Sequence, residues 1–149
     1  MNGGVRKRLA LVLCFALVLL AAGCAAKTQD ALTFCFGTER FDAAAVETIV
    51  YQRAGETQEP PVTVTDPAQL RALVDAAAQL EVGAATEQRA TDSDSYLTFY
   101  LDDGTTCTLA FEGRNLVRDG QAYLLTNDAA LWRLTASLAA ENGTTEERP

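Results

Sequence analysis

Residues 96–125 read YLTFYLDDGTTCTLAFEGRNLVRDGQAYLL, and most of the predicted sheet follows from their pattern. Apolar and polar residues alternate along much of it, which is typical of β-strands. Asp103-Gly104 and Asp119-Gly120 interrupt the alternation, and Asp-Gly pairs favour the positive backbone angles that tight hairpins require. The stretch therefore predicts two antiparallel hairpins. Their strands are expected at 96–101, 105–111, 116–118 and 121–125.

The first turn also predicts which side chains share a face. With a two-residue loop at Asp103-Gly104, opposed residues on the two strands point to the same side of the sheet. One side then carries Leu97, Phe99, Leu101, Thr106, Thr108 and Ala110. The other carries Tyr96, Tyr100, Cys107, Leu109 and Phe111. Both faces are apolar enough to be covered at least in part.

Two amphipathic helices are expected. The first begins after Asp66, which can cap it, with Pro67 in the first turn. Its apolar face consists of Leu70, Leu73, Val74, Ala77 and Leu80. The last follows Asn127 or Asp128, and its stripe is Leu131, Leu134, Thr135 and Leu138. Such a stripe could dock a partner helix, but burial against the domain's own sheet is far commoner.

The remaining segments complete an α+β prediction. Alternation at 32–36 and the β-branched run at 46–52 predict two further strands, and 62–65 is a short extended piece. The polar run 83–95 predicts a long loop, where binding residues tend to lie. We expect an antiparallel sheet of four to six strands, with the 67–80 and 128–140 helices packed on one face.

The N-terminal residues predict export. A basic cluster at 6–8 precedes an unbroken apolar run at 9–22, and Gly23 and Cys24 follow. The run is shorter than the roughly 20 residues that a membrane-spanning helix needs, so a cleaved signal over 1–23 fits better.

The residues Leu20, Ala21, Ala22, Gly23 and Cys24 resemble the lipobox of bacterial lipoproteins, with Ala21 where leucine is usual. The resemblance implies that Leu20 to Gly23 are recognised by the signal peptidase and that cleavage precedes Cys24. Cys24 would then carry diacylglycerol and a fatty acid such as palmitate. This anchors the protein at the outer face of the cytoplasmic membrane. The alternative is an ordinary secretory signal with Cys24 as a bystander.

The expected organisation is therefore a signal peptide at 1–23, a lipidated tether at 24–31, one α+β domain at 32–140 and a disordered tail at 141–149. A Val-Thr-Asp-Pro helix start, the DGTTCTLAF and RDGQAYLL hairpins and a closing helix follow one another along the chain. Over residues 45–140 this order resembles uncharacterised small lipoproteins of Gram-positive bacteria. That resemblance implies a fold class and no function.

Charge and cysteine content limit the possible partners. Without residues 1–23 the chain has nine basic and twenty acidic residues, a net charge of −11. Nucleic acid and anionic lipid are poor partners for such a surface. Cys35 and Cys107 remain after Cys24 is lipidated. They form either a disulfide or two buried free thiols, and spacing does not decide between these alternatives.

No catalytic constellation is visible. The chain has no histidine, and none of Ser93, Ser95 and Ser137 lies in a G-x-S-x-G motif. Five aspartates cluster around loops and leave paired-carboxylate chemistry open: Asp92, Asp94, Asp102, Asp103 and Asp119. Residues 92–95 begin like a calcium loop, but Tyr96 occupies the third ligand position. We expect no catalytic residue, no metal and no cofactor.

The combined prediction is a membrane-anchored, extracytoplasmic binding module rather than an enzyme. It would recognise a protein, peptide or envelope ligand through an uncovered sheet face or the 83–95 segment. A small hydrolase with two aspartates and a purely structural envelope lipoprotein are the alternatives. The ligand, the pathway and the oligomeric state do not follow from the sequence.

Overall fold

The computed structural model describes residues 28–37, 41–54, 59–90 and 93–143. The predicted signal peptide, the lipobox, Cys24 and residues 144–149 lie outside this part. An antiparallel sheet of eight strands organises it, in the order β1-β4-β8-β7-β6-β5-β2-β3. The strands are β1 (Gln29–Asp30), β2 (Val46–Arg53), β3 (Val62–Val64), β4 (Glu81–Arg89), β5 (Ser95–Leu101), β6 (Thr106–Glu112), β7 (Asn115–Arg118) and β8 (Gln121–Thr126).

Three α-helices accompany the sheet: α1 (Ala31–Phe36), α2 (Pro67–Ala78) and α3 (Ala129–Gly143). A short 3₁₀ helix spans Ala43–Ala45. The prediction of four to six strands and two helices is therefore wrong. The fold also begins at Gln29, inside the expected tether, and α3 continues into the expected tail as far as Gly143.

The segment predicted as a strand at 32–36 is helix α1. The Asp30 carboxylate accepts a hydrogen bond of 2.8 Å from the Thr33 N–H and caps the helix. Gly37 ends it at a positive φ of 74° and donates to the Thr33 carbonyl at 2.9 Å. A helix this short offers too few residues to show a 3.6-residue period, so its alternating apolar positions mimic a strand.

The segment predicted as a loop at 83–95 mostly forms a strand. Residues 81–89 pair with β8, and the register shifts on either side of Ala85. Small and polar residues rarely indicate a strand, because β-propensity depends on packing against neighbours. At Gly83 an added Cβ would lie 3.3 Å from the Leu124 carbonyl oxygen, so the glycine permits close approach of β8. Tertiary pairing outweighs local composition here.

The first hairpin has a register one residue away from the prediction. Gly104 donates to the Leu101 carbonyl at 3.0 Å, and Leu101 donates to the Thr105 carbonyl at 2.9 Å. Gly104 has a φ of 83°, so the turn contains one more residue than expected. Thr98 therefore pairs with Thr108 rather than with Leu109. Because side chains alternate along a strand, this one-residue shift moves every β6 side chain to the face opposite the predicted one, relative to β5.

The corrected register places the large apolar side chains on one face, which we call the inner face. It carries Ile49, Tyr51, Leu97, Phe99, Leu101, Cys107, Leu109, Phe111 and Leu116, all buried. The three helices contact it and complete a single core. Phe34 of α1 packs on Tyr123 at 4.9 Å, and Trp132 of α3 packs on Phe111 at 5.1 Å between ring centroids. The opposite side of β5 bears the exposed Tyr100.

Other predicted elements are confirmed. Asp66 caps α2 by accepting hydrogen bonds from the N–H groups of Ala68 and Gln69 at 3.1 and 2.9 Å. The predicted apolar face of this helix, from Leu70 to Leu80, is buried. The second hairpin has the expected tight turn, with Asp119 and Gly120 at φ values of 53° and 74°.

Candidate functional site

An open groove of about 420 Å³ lies where the inner face reaches one end of the sheet. Its sides are the end of β2, the start of β5, the turn between β6 and β7, and one face of α3. We call it the Trp132 groove, after the largest side chain that lines it. A second groove, of about 480 Å³, lies between the 3₁₀ helix and α2 and is mostly apolar, with Arg71 and Asp75 among its lining residues.

Strand register brings a cation into the Trp132 groove. Ile49 and Tyr51 point to the inner face, so the two-residue period of β2 puts Arg53 on that face as well. Arg53 pairs with Ser95, and Ser95 pairs with Phe111, which forms one row across three strands. Arg53 therefore lines the groove at the end of β2, and Trp132, which packs on Phe111 of the same row, lines it from α3.

Three hydroxyl-bearing residues lie deep in the groove: Tyr51, Ser95 and Thr135 are only 6%, 5% and 3% exposed. The Thr135 hydroxyl donates to the Trp132 carbonyl at 3.2 Å, and the Ser95 hydroxyl donates to Asp94 Oδ1 at 3.3 Å. Within the described ranges, no buried side-chain nitrogen or oxygen lacks a hydrogen-bond partner. The buried polar groups are therefore held in place without a ligand.

The pKa of Tyr51 reflects its burial and the charges near the groove floor. Burial raises the pKa of the Tyr51 phenol. The Thr135 side chain and the Arg53 cation act in the opposite direction on this pKa. The carboxylates of Asp94 and Glu59 raise it further. Charges of both signs therefore lie within electrostatic reach of the groove floor.

Asp94 joins three elements at the groove. Its Oδ2 accepts a hydrogen bond of 2.6 Å from the Gly113 N–H in the β6–β7 turn, where Gly113 has a φ of 59°. Its backbone carbonyl accepts from the Ala54 N–H at 2.7 Å, and its own N–H donates to the Phe111 carbonyl at 2.8 Å. These contacts fix the carboxylate at the groove rim, although its side chain is exposed.

A network around Asp128 fixes the opposite wall. Asp128 accepts from Arg114 Nε at 2.8 Å and from Arg114 Nη2 at 2.6 Å, the two-pronged geometry that guanidinium groups favour. It also accepts from the Trp132 indole N–H at 2.7 Å. Burial alone would raise the pKa of Asp128, but the hydrogen bonds from Arg114 and Trp132 outweigh it and lower the pKa. Asp128 thus orients both an arginine and the indole that line the groove.

The two arginines of the groove differ in their partners. The charge of Arg114 is compensated by Asp128. Arg53 forms no ion pair with any residue in the part of the chain that the structure describes. Of the two, Arg53 is therefore the groove cation whose charge no described carboxylate compensates.

The residues singled out by the sequence are dispersed. Cys35 is half-buried in α1 and Cys107 is buried in β6, and no disulfide bond joins them. Burial raises the pKa of Cys35 to about 11, opposed by the nearby Arg118 cation. Cys24 and Leu20, Ala21, Ala22 and Gly23 lie outside the described residues.

The aspartates of the hydrolase alternative occupy separate turns. Asp94 lies at the groove, whereas Asp102 and Asp103 lie in the turn at the other end of β5. Asp119 lies in the β7–β8 turn, and Asp92 is outside the described residues. Across the described segments, no group of three acidic or cysteine side chains is placed to hold a metal ion.

Sequence reasoning missed the groove for identifiable reasons. The alternation from Ile49 through Tyr51 could have placed Arg53 on the buried face of the sheet. The pairing of Arg114 with Asp128 spans 14 residues and depends on how α3 crosses the sheet, so no local signal announces it. Of the described residues in the predicted binding segment, 83–95, only Asp94 and Ser95 line the groove.

The comparisons with known proteins add no family to these observations. No family model, no curated protein and no solved structure matches the chain. Among the residues that the structure describes, no helix is both long enough and apolar enough to cross a bilayer.

Proposed function

We propose that this chain is a lipid-anchored, extracytoplasmic binding module that takes a small ligand in the Trp132 groove. The observation that carries the groove assignment is the convergence of polar groups there. Arg53, Asp94 and three buried hydroxyl-bearing residues meet beside the indole of Trp132. Ligand sites are typically concave, mostly apolar and furnished with a few fixed polar groups, with volumes from about 300 Å³ upward.

The anchor is proposed on the lipobox, with Cys24 as the acylated residue. The fold begins with Gln29, which pairs with Val82 of β4. Only residues 25–28 separate Cys24 from the first strand, so the leash can span at most about 18 Å. A domain on such a leash stays close to the membrane. In the sheet, β1 and β2 are separated by five strands, so the groove lies well away from the strand that follows the leash.

The polar network supports binding more than it supports catalysis. Preorganised groups reduce the cost of ordering a site when a ligand arrives. Asp128 fixes Arg114 and Trp132, and Asp94 is fixed by Gly113, before any ligand is present. A nucleophile would need an adjacent base, and the chain has no histidine to activate Ser95.

A screen of small envelope metabolites tests this proposal. Each compound would be added to the full chain in detergent, with thermal unfolding as the measurement, because a ligand that binds only the folded state raises the unfolding temperature. The comparison is Ala136→Trp, which fills the groove from α3. The matched control is Ser137→Trp, at the next position, which does not line the groove.

A compound that stabilises the parent and Ser137→Trp, but not Ala136→Trp, supports the proposal. If no compound stabilises the parent, or if every stabilising compound acts equally on Ala136→Trp, the groove is not the binding site. The structural-lipoprotein alternative would then be favoured.

A further inference from the structure

We propose that the Trp132 groove is selective for a small zwitterion, namely a free amino acid or a short peptide with both ends uncapped and an apolar side chain. This inference rests on the proposed function and specifies the ligand class. The groove is lined by the Arg53 cation and the Asp94 carboxylate, which come from adjacent strand ends, and by the α3 residues Trp132, Ala136 and Ala139. A ligand with one positive end, one negative end and an apolar body matches that arrangement.

Arg53 is the group for the ligand carboxylate. Arg53 lines the groove and has no carboxylate partner in the described segments. A guanidinium presents a planar fork of donors that fits a carboxylate in two-pronged fashion. The Ser95 hydroxyl next to Arg53 in the register already donates to Asp94 Oδ1, so Arg53 alone is assigned to the ligand carboxylate.

Asp94 is the group for the ligand ammonium. Gly113 occupies Oδ2 and Ser95 occupies Oδ1, with one hydrogen bond each. An ionised carboxylate has about four lone-pair sites, so each oxygen can accept another donor. Glu59 lies within electrostatic reach of the same groove floor and adds negative potential there.

The α3 wall accommodates the apolar body. Trp132 is fixed through its hydrogen bond to Asp128 and its edge contact with Phe111. Ala136 and Ala139 continue the same wall with only methyl groups, which leaves room for a ligand side chain. A purely anionic ligand is disfavoured, because the chain without its signal carries a net charge of −11 and, among the described residues, Arg53 is the one groove cation without an ion pair.

The test uses the full chain in detergent and four probes. These are L-leucine, L-leucyl-L-leucine, its N-acetyl derivative and its C-terminal amide. Binding is followed through the fluorescence of Trp132, the only tryptophan in the chain, and confirmed by calorimetry. We expect at least one of the two uncapped probes to bind. Capping either end of the dipeptide should weaken its binding by about tenfold or more, since one charge-assisted contact is lost.

Two substitutions test which residue binds the carboxylate end of the ligand and which binds its ammonium end. Arg53→Gln should weaken binding of the uncapped dipeptide and of its N-acetyl derivative by about tenfold, but should leave the amide bound no more weakly. Asp94→Asn should weaken the uncapped dipeptide and the amide, but not the N-acetyl derivative. Arg133→Gln and Glu47→Gln, at exposed residues outside the groove, are the matched charge controls and should change nothing. Circular dichroism establishes that each variant is folded.

The probes separate the two sources of the ligand. Tighter binding of leucine indicates an amino-acid site, and tighter binding of the dipeptide indicates a peptide site. Equal binding of capped and uncapped probes would overturn the inference, as would absence of binding by both uncapped probes. These results come from the unsubstituted protein, so they do not depend on variants that fold. If neither uncapped probe binds, but another compound stabilises the parent and not Ala136→Trp, the proposed ligand class is wrong and the groove assignment is retained.

Discussion

The indole N–H of Trp132 donates a hydrogen bond of 2.7 Å to Asp128, one helical turn earlier at the start of α3. The same carboxylate receives two hydrogen bonds from Arg114, in the turn between β6 and β7. One acidic side chain therefore joins the closing helix to a hairpin and aims the indole at Phe111. This contact sets the shape of the groove wall.

Replacing Asp128 with alanine should destabilise the protein by about 1 to 3 kcal/mol, because the partly buried Trp132 indole loses its acceptor. The Arg114 pair contributes little to this figure, since the Arg114 side chain is 65% exposed. Urea unfolding followed by circular dichroism measures the change. The control is Asp75→Ala on the exposed side of α2, for which we expect a change within about 0.5 kcal/mol. Equal effects of the two substitutions would contradict the account.

The lowered pKa of Asp128 predicts a dependence of stability on pH. In the unfolded chain this carboxyl titrates near its ordinary value of 3.8, and in the folded protein it titrates lower. The stabilisation is therefore complete above the unfolded pKa and is lost as pH falls through the folded pKa.

Asp128→Asn isolates this effect. The free energy of unfolding of the parent, less that of the variant, should be largest at pH 6 and should narrow as pH falls below about 4. Urea midpoints at pH 6, 4 and 3 measure the difference. Other carboxylates are present in both proteins and cancel. A difference that is constant across this range would show that the Asp128 charge is not responsible.

The register of the first hairpin predicts a cross-linking pattern. Thr98 and Thr108 are opposed on β5 and β6, and their hydroxyl oxygens are 3.1 Å apart. Thr98→Cys combined with Thr108→Cys should therefore form a disulfide on mild oxidation, because directly opposed Cα atoms of antiparallel strands lie about 4.5–5.5 Å apart, within the range that a disulfide spans. Peptide mapping by mass spectrometry detects the bond. Thr98→Cys with Thr106→Cys, a diagonal pair on the same face, is the control, and preferential bonding there would contradict this register.

The thiols predict a reactivity pattern. With a pKa of about 11, Cys35 has only about one thiolate in a thousand at pH 8, against about one in ten at its ordinary value of 9.0. Iodoacetamide at pH 8 should label Cys35 and Cys107 slowly in the folded protein and rapidly after unfolding in urea. Mass spectrometry of both peptides measures this. A disulfide between the two would leave them unlabelled even after unfolding, which would contradict the structure, where no disulfide joins them.

Elements that are specified by a few adjacent residues were predicted correctly, whereas elements that depend on distant residues were not. Asp66 and Pro67 specify the start of α2 within a few residues, and Asp119-Gly120 specifies the second hairpin in the same way. The first hairpin failed because Asp103-Gly104 is compatible with loops of two or three residues, and tertiary packing selects the longer one. Strand β4 failed because its pairing with β8 depends on residues about 40 positions later.

The candidate site was harder to predict than the fold. The Trp132 groove exists only after α3 lies across the inner face, so it joins residues from position 51 to position 139. Asp94 was predicted as one of five loop aspartates, but the sequence does not separate it from Asp102 or Asp119. Arg53 could have been identified from the sequence, because the alternation of β2 places this charged residue on the buried face of the strand.

Metabolic labelling at Cys24 tests the central claim, that this module is held at the membrane by a lipid. Bacteria producing the parent or Cys24→Ser would be grown with radiolabelled palmitate, and the chain would be recovered from membrane and soluble fractions. We expect label on the parent in the membrane fraction and none on the variant. Label retained by Cys24→Ser, or no label on the parent, would contradict it.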